Sequence, residues 1–98
     1  MPAYVIAQMQ VHDIEKYREY ASKVMATIAA YEGKLLAADT VDVREGTQPY
    51  PRTVIGEFPT ADAARAWYES PAYQAILPLR LESTTGALYI VEGFSMPS

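Results

Sequence analysis

The chain has 98 residues, half of them apolar and 20% charged, which fits one globular domain spanning residues 1–98 and excludes a disordered polymer. Eight basic against twelve acidic residues give 8 − 12 = −4, a balance that disfavours nucleic acid, whose phosphates attract Lys and Arg. Cysteine is absent, so disulfides, thiolate catalysis and the usual structural zinc sites are excluded.

Residues Tyr4 to Val11 alternate. Val5, Ala7, Met9 and Val11 share one face and Tyr4, Ile6, Gln8 and Gln10 the other, a period of two that predicts a strand. The first cationic side chain is Lys16, so no basic region precedes an apolar N-terminal run. No apolar run approaches the ~18 residues of a membrane span. A cytoplasmic protein without membrane contact is expected.

Ile14, Tyr17, Ala21, Val24, Ile28 and Tyr31 recur at steps of three and four, which predicts a helix with one apolar stripe. Asp13 is its cap, Glu15 suits the positive end of its dipole, and Glu19 with Lys23 is a solvent-side pair. Gly33 is expected to supply a left-handed exit. Leu35 to Val43 reads as a second strand and Glu45 to Pro51 as a turn-rich loop. Thr53 to Phe58 reads as a third strand. Thr60 caps a second helix through about Glu69. Ser70 and Pro71 start another helix, which Pro78 is expected to end near Leu77. Ala87 to Phe94 is the last strand.

Strand-helix-strand thus occurs twice without a linker. The compact solution is an α+β, ferredoxin-like βαββαβ sandwich: a four-stranded antiparallel sheet with helices on one face. Right-handed crossovers place the first and third strands centrally. The helix-free face is apolar too, through Tyr4, Ile6 and Ile55 among others. Soluble monomers seldom expose such a patch, and the simplest cover is a second copy, sheet against sheet.

Arg52-x-Val54-x-x-Glu57-Phe58-Pro59, then Ala63-Ala64-x-x-Trp67-Tyr68-x-Ser70-Pro71-x-Tyr73 and Leu77-Pro78-x-Arg80, resembles the bacterial family called domain of unknown function 1330. Asp13-x-Glu15-x-Tyr17-x-x-Tyr20 and Val91-Glu92-Gly93 fit it as well. The resemblance spans nearly the whole chain and implies a dimeric α+β barrel, in which two ferredoxin-like sheets enclose the interface. Similar barrels include antibiotic-biosynthesis monooxygenases, muconolactone isomerases and chlorite-dismutase-like haem proteins. The family has no agreed activity and supplies no catalytic residues. Tyr31-Glu32-Gly33 departs from it where two glycines are expected.

Few residues suggest chemistry. His12 is the sole histidine, and with Asp13 committed to a cap and Glu15 to the dipole, a metal site lacks ligands. Ser70 has no base nearby and reads as a cap. Trp67 and Tyr68 read as packing residues, while the polar tip of Tyr73 suits a cavity mouth. Asp39 and Asp42 fall on opposite sides of their strand and form no acid–base pair. Glu57 shares the Ile55 face, where a carboxylate must be paired or protonated, and Arg80 or Arg52 is its expected cation. Trp67 is expected to pack on the helix side of the sheet close to Gly56. No phosphate-binding glycine loop is present, and the third strand lacks the aromatics on which RNA-binding sandwiches stack bases.

The reading that results is a homodimer holding a small organic ligand between its sheets, with Gln8, Glu57, Tyr73 and Arg80 at the ligand and no cofactor or metal. A cofactor-free enzyme, monooxygenase- or isomerase-like, and a purely structural dimer are the alternatives, since this fold hosts many activities.

Overall fold

Alternation in the first strand and the 3.6-residue stripes carry through to the computed structural model, which describes residues 1–95. The elements are β1 (Ala3–Val11), α1 (Ile14–Ala29), β2 (Lys34–Thr40), β3 (Arg52–Phe58), α2 (Ala61–Glu69), α3 (Pro71–Ser83) and β4 (Thr84–Glu92). The sheet is antiparallel with order β2-β3-β1-β4, so β1 and β3 are central, as right-handed crossovers require. Val5 lies opposite Gly56 on β3 and Ile90 on β4. That register puts Val5, Ala7, Met9, Val54 and Phe58 under the helices, where they join the core. Tyr4, Ile6 and Ile55 are half-buried on the helix-free face, beside the exposed Tyr89 and Val91.

The Lys16 N–H donates to Asp13 Oδ1 at 3.2 Å, and Lys23 meets Glu19 at 3.1 Å. The buried stripe of α1 is turned relative to the expected one. Tyr20 and Thr27 are buried beside Tyr17 and Ile28, whereas Ile14 and Ala21 are exposed. The cause is α3 and α2, whose Tyr73 and Trp67 reach Tyr20 and Thr27. The exit of α1 also differs. Glu32, not Gly33, takes the left-handed conformation, at φ 60°. Gly33 is needed for space: a Cβ there would stand 2.6 Å from Phe58 Cε1 and 2.7 Å from Ile28 Cγ2.

The second strand stops at Thr40 instead of Val43, with an irregular register between Leu35 and Ala37. Its neighbour in the sheet begins at Arg52, directly after Pro51, and a proline cannot donate to the ladder. β4 starts earlier than expected, at Thr84.

Thr60 and Ser70 cap their helices, accepting from the N–H groups of Ala63 at 3.0 Å and Tyr73 at 3.2 Å. α3 does not end near Leu77. It passes through Pro78 to Ser83. Pro78 sits on the solvent side, and the Gln74 carbonyl that loses its intrahelical donor belongs to an exposed residue that water can reach. Beyond it, Arg80 and Ser83 continue the buried line of Tyr73, Ile76 and Leu77. Packing therefore outweighs a break of about 3 kcal/mol.

Candidate functional site

Small side chains beneath α1 leave room. Ala7 on β1, Gly56 on β3, Ala38 on β2 and Ala21 on α1 together border a cavity of about 180 Å³ between that helix and the sheet. Val54, Phe58 and Trp67 supply larger apolar walls. Met25, 47% exposed, and Leu35, 38% exposed, frame its mouth. Gly56 is open: a Cβ there would meet only the Lys34 carbonyl oxygen, at 3.7 Å. The expected close approach of Trp67 to Gly56 is therefore corrected to a gap. Trp67 is buried and packs at a tilt against Tyr73 at 4.2 Å and Phe58 at 5.4 Å between ring centroids. Both it and Gly56 face the cavity.

Three polar side chains reach this apolar space: Tyr17, Tyr20 and Arg52. The Arg52 Nε donates to the Tyr17 hydroxyl at 3.0 Å, and the guanidinium carbon lies 5.5 Å from the Tyr17 ring centroid. The Tyr20 and Tyr73 hydroxyls are 2.9 Å apart. Burial, then the neighbouring Tyr73, pushes the Tyr20 phenol far above its ordinary value of 10.0, so it stays protonated. The Trp67 indole N–H is already spent on Thr27 Oγ1 at 3.0 Å.

The four residues expected at a ligand do not converge. Gln8 and Glu57 lie on the helix-free face, where the Tyr89 hydroxyl donates to Gln8 Oε1 at 2.6 Å. Glu57 pairs with Lys34 at 3.3 Å, not with Arg80 or Arg52. Its carboxylate also holds the Tyr4 phenol above the ordinary range, chiefly through hydrogen bonding. Tyr73 and Arg80 are under the helices. Tyr73 is fully buried in the core rather than at a cavity mouth. Arg80, 5% exposed, belongs to the buried side of α3, and its Nε has no acceptor. The cause is sheet parity: the helix-covered face and the face of Glu57 are separated by the sheet itself.

Arg52, Tyr17 and Tyr20 are the site residues that sequence reasoning missed, although for Arg52 parity carries the signal. Arg52 and Glu57 are five positions apart on one strand, so they point to opposite faces, and Arg52 belongs with Val54 and Gly56. The backbone N–H of His12 donates to the Ser83 carbonyl at 2.9 Å. Among the described residues, no three His, Cys, Asp or Glu side chains gather, and no helix is long and apolar enough to cross a membrane.

A ferredoxin-like α+β chain with an apolar cavity on the helix side of its sheet is the class that these features define. The family model described as domain of unknown function (DUF1330) matches residues 2–94, and the chain belongs to that family. No curated protein matches it. Among solved structures, it is similar to RPA0582, a protein of unknown function from Rhodopseudomonas palustris, with 14% identity and a TM-score of 0.77 over 97% of this chain and 84% of that one. It is also similar to SnoaB, a cofactor-independent oxygenase from Streptomyces nogalater, with 11% identity and a TM-score of 0.69 over 97% and 95%. A dimeric ferredoxin-like protein of unknown function from Jannaschia sp. CCS1 shares 16% identity, with a TM-score of 0.67 over 97% of this chain and all of that one. These identities speak for the fold alone.

Proposed function

We propose that this chain is a single-domain, small-molecule-binding protein whose ligand enters the cavity between α1 and the sheet. The observation that carries this reading is the cavity itself, about 180 Å³ behind a partly exposed mouth. An apolar cavity of ~150 Å³ accepts benzene, so the occupant is of single-ring size. The chain acts as a homodimer through its helix-free face, as the dimeric description of the Jannaschia protein supports. Gln8 and Glu57 then belong to the subunit interface rather than to the ligand.

The test is a panel of single-ring compounds, read by the fluorescence of Trp67, the only tryptophan and a cavity wall. Gly56→Val is the control, because its side chain grows into the gap. Binding by the wild type and its loss in a folded Gly56→Val variant are expected. A panel without a single binder overturns the reading.

A second reading is a cofactor-free enzyme acting on the same ligand. The likeness to SnoaB and the two phenols at the cavity favour it. Turnover of a bound panel member under air is its test, and binding without any product opposes it.

A further inference from the structure

The cavity offers hydrogen-bond donors and almost nothing to accept. Arg52 spends Nε on the Tyr17 hydroxyl. Its two terminal NH₂ groups take part in no ion pair among the described residues, where the paired cations are Lys16, Lys23, Lys34, Arg44 and Arg65. The Tyr17 hydroxyl accepts from Arg52 and keeps its own proton to give. The Tyr20 and Tyr73 hydroxyls hold two protons between them and use one on each other. No carboxylate and no imidazole borders the cavity. A cationic ligand would find no partner there. A neutral hydrocarbon would leave the guanidinium with one protein acceptor among five donors.

We propose that the ligand is a small organic anion, a single ring bearing a carboxylate, with its ring in the apolar space and its carboxylate on the free edge of the Arg52 guanidinium beside the Tyr17 hydroxyl. This rests on the cavity being a binding site. Guanidinium and carboxylate match as two parallel N–H···O bonds. The Arg52–Tyr17 hydrogen bond and the ring beneath the guanidinium hold the fork in place before the ligand arrives, which lowers the ordering cost of binding. Arg52 is half-buried, so the pair is less screened than a surface ion pair.

The experiment compares benzoate with toluene, which has the same ring and no charge. Titrations of the full chain are followed by Trp67 fluorescence and by calorimetry. The wild type should bind benzoate at least tenfold more tightly than toluene, the size of one charge-assisted contact. Arg52→Gln should abolish that preference and leave the toluene affinity within about twofold. Toluene binding as tightly as benzoate to the wild type would overturn the anion and leave the cavity reading standing. Binding of neither probe, together with an empty panel of neutral rings, would remove both. A benzoate preference that survives in folded Arg52→Gln would also overturn the assignment. Where circular dichroism shows Arg52→Gln to be unfolded, Arg52→Lys takes its place. It keeps the charge but loses the fork, so benzoate affinity should fall several-fold, and an unchanged affinity counts against the proposal.

Discussion

The hydroxyls of Tyr20 on α1 and Tyr73 on α3 meet at 2.9 Å within the core, and this contact fixes how the two helices lie over the sheet. Burial raises the folded Tyr20 phenol well above the unfolded value of 10.0. A group whose folded value is raised stabilises fully below its unfolded value, and that contribution is lost as pH climbs above it. The Tyr20 contribution should thus be independent of pH around pH 7 and fall above about pH 10, by up to ~1.4 kcal/mol per pH unit for the one proton. Urea titrations from pH 8 to 11.5 should show a shallower alkaline fall in Tyr20→Phe than in the wild type. Equal slopes would show that Tyr20 ionises freely in the folded chain.

Trp67 is 2% exposed and packs at a tilt against Phe58 and Tyr73. Trp67→Ala should cost about 3–5 kcal/mol, the range for losing a large buried aromatic. The denaturant midpoint measures this. A cost below about 1 kcal/mol, typical of surface positions, would place the indole outside the core.

Glu32 stands at φ 60°, a conformation that costs a residue with a Cβ roughly 1–2 kcal/mol. Glu32→Gly should raise stability by about 1 kcal/mol. It would also restore the double glycine expected of the family at this turn. A lower melting temperature would show that the Glu32 side chain contributes more than its backbone strain removes.

Arg80 presents the opposite case. Its guanidinium is buried and its Nε unpartnered, and exchanging a poorly satisfied buried ion for an apolar side chain of similar length is often neutral or stabilising. Arg80→Met should therefore leave stability unchanged or raise it by about 1–3 kcal/mol. A loss of similar size would reveal an acceptor that the guanidinium finds in the assembled protein.

Ile55 lies at the centre of the helix-free face, opposite Ile6. Sedimentation should give a particle of twice the 10.9 kDa chain mass. Ile55→Lys should split it by placing an unpaired charge in an apolar contact. Glu57→Gln, on the same face, removes a pair whose Lys34 side chain is 69% exposed in the single chain, so the fold of the chain should lose less than about 1 kcal/mol. A wild-type monomer at micromolar concentration would end the dimer proposal.

Local patterns made most of the fold legible. The alternation of Tyr4 to Val11, the caps Asp13, Thr60 and Ser70, and the doubled strand-helix-strand order each state a local physical preference that nothing in the tertiary structure opposes. The failures have tertiary causes. Pro78 is tolerated because it faces water, and Tyr20 is buried because α3 happens to cross there. The site was less legible. A cavity is made of what is missing, here the side chains absent at Ala7, Gly56, Ala21 and Ala38, which lie on four different segments. Glycine in β3 signalled a close approach and marks a void instead. Arg52 was within reach of parity alone, whereas its hydrogen bond to Tyr17 spans 35 residues of chain and no local pattern announces it.

The order of the strands also bears on synthesis. β1 leaves the ribosome before the other strands of the sheet, yet it is an interior strand: Ala3 pairs with Phe58 on one side and with Glu92 on the other. The turn after it is closed by His12 and Asp13 donating to the carbonyl of Ser83. A nascent chain carrying β1 and α1 alone therefore has neither strand partner nor turn closure, and must keep its apolar alternation unsatisfied until β3 and β4 have emerged. Contacts of such long range slow folding and lengthen the exposure of aggregation-prone strands. The protein is accordingly expected to fold as one late, cooperative event after its last strand emerges.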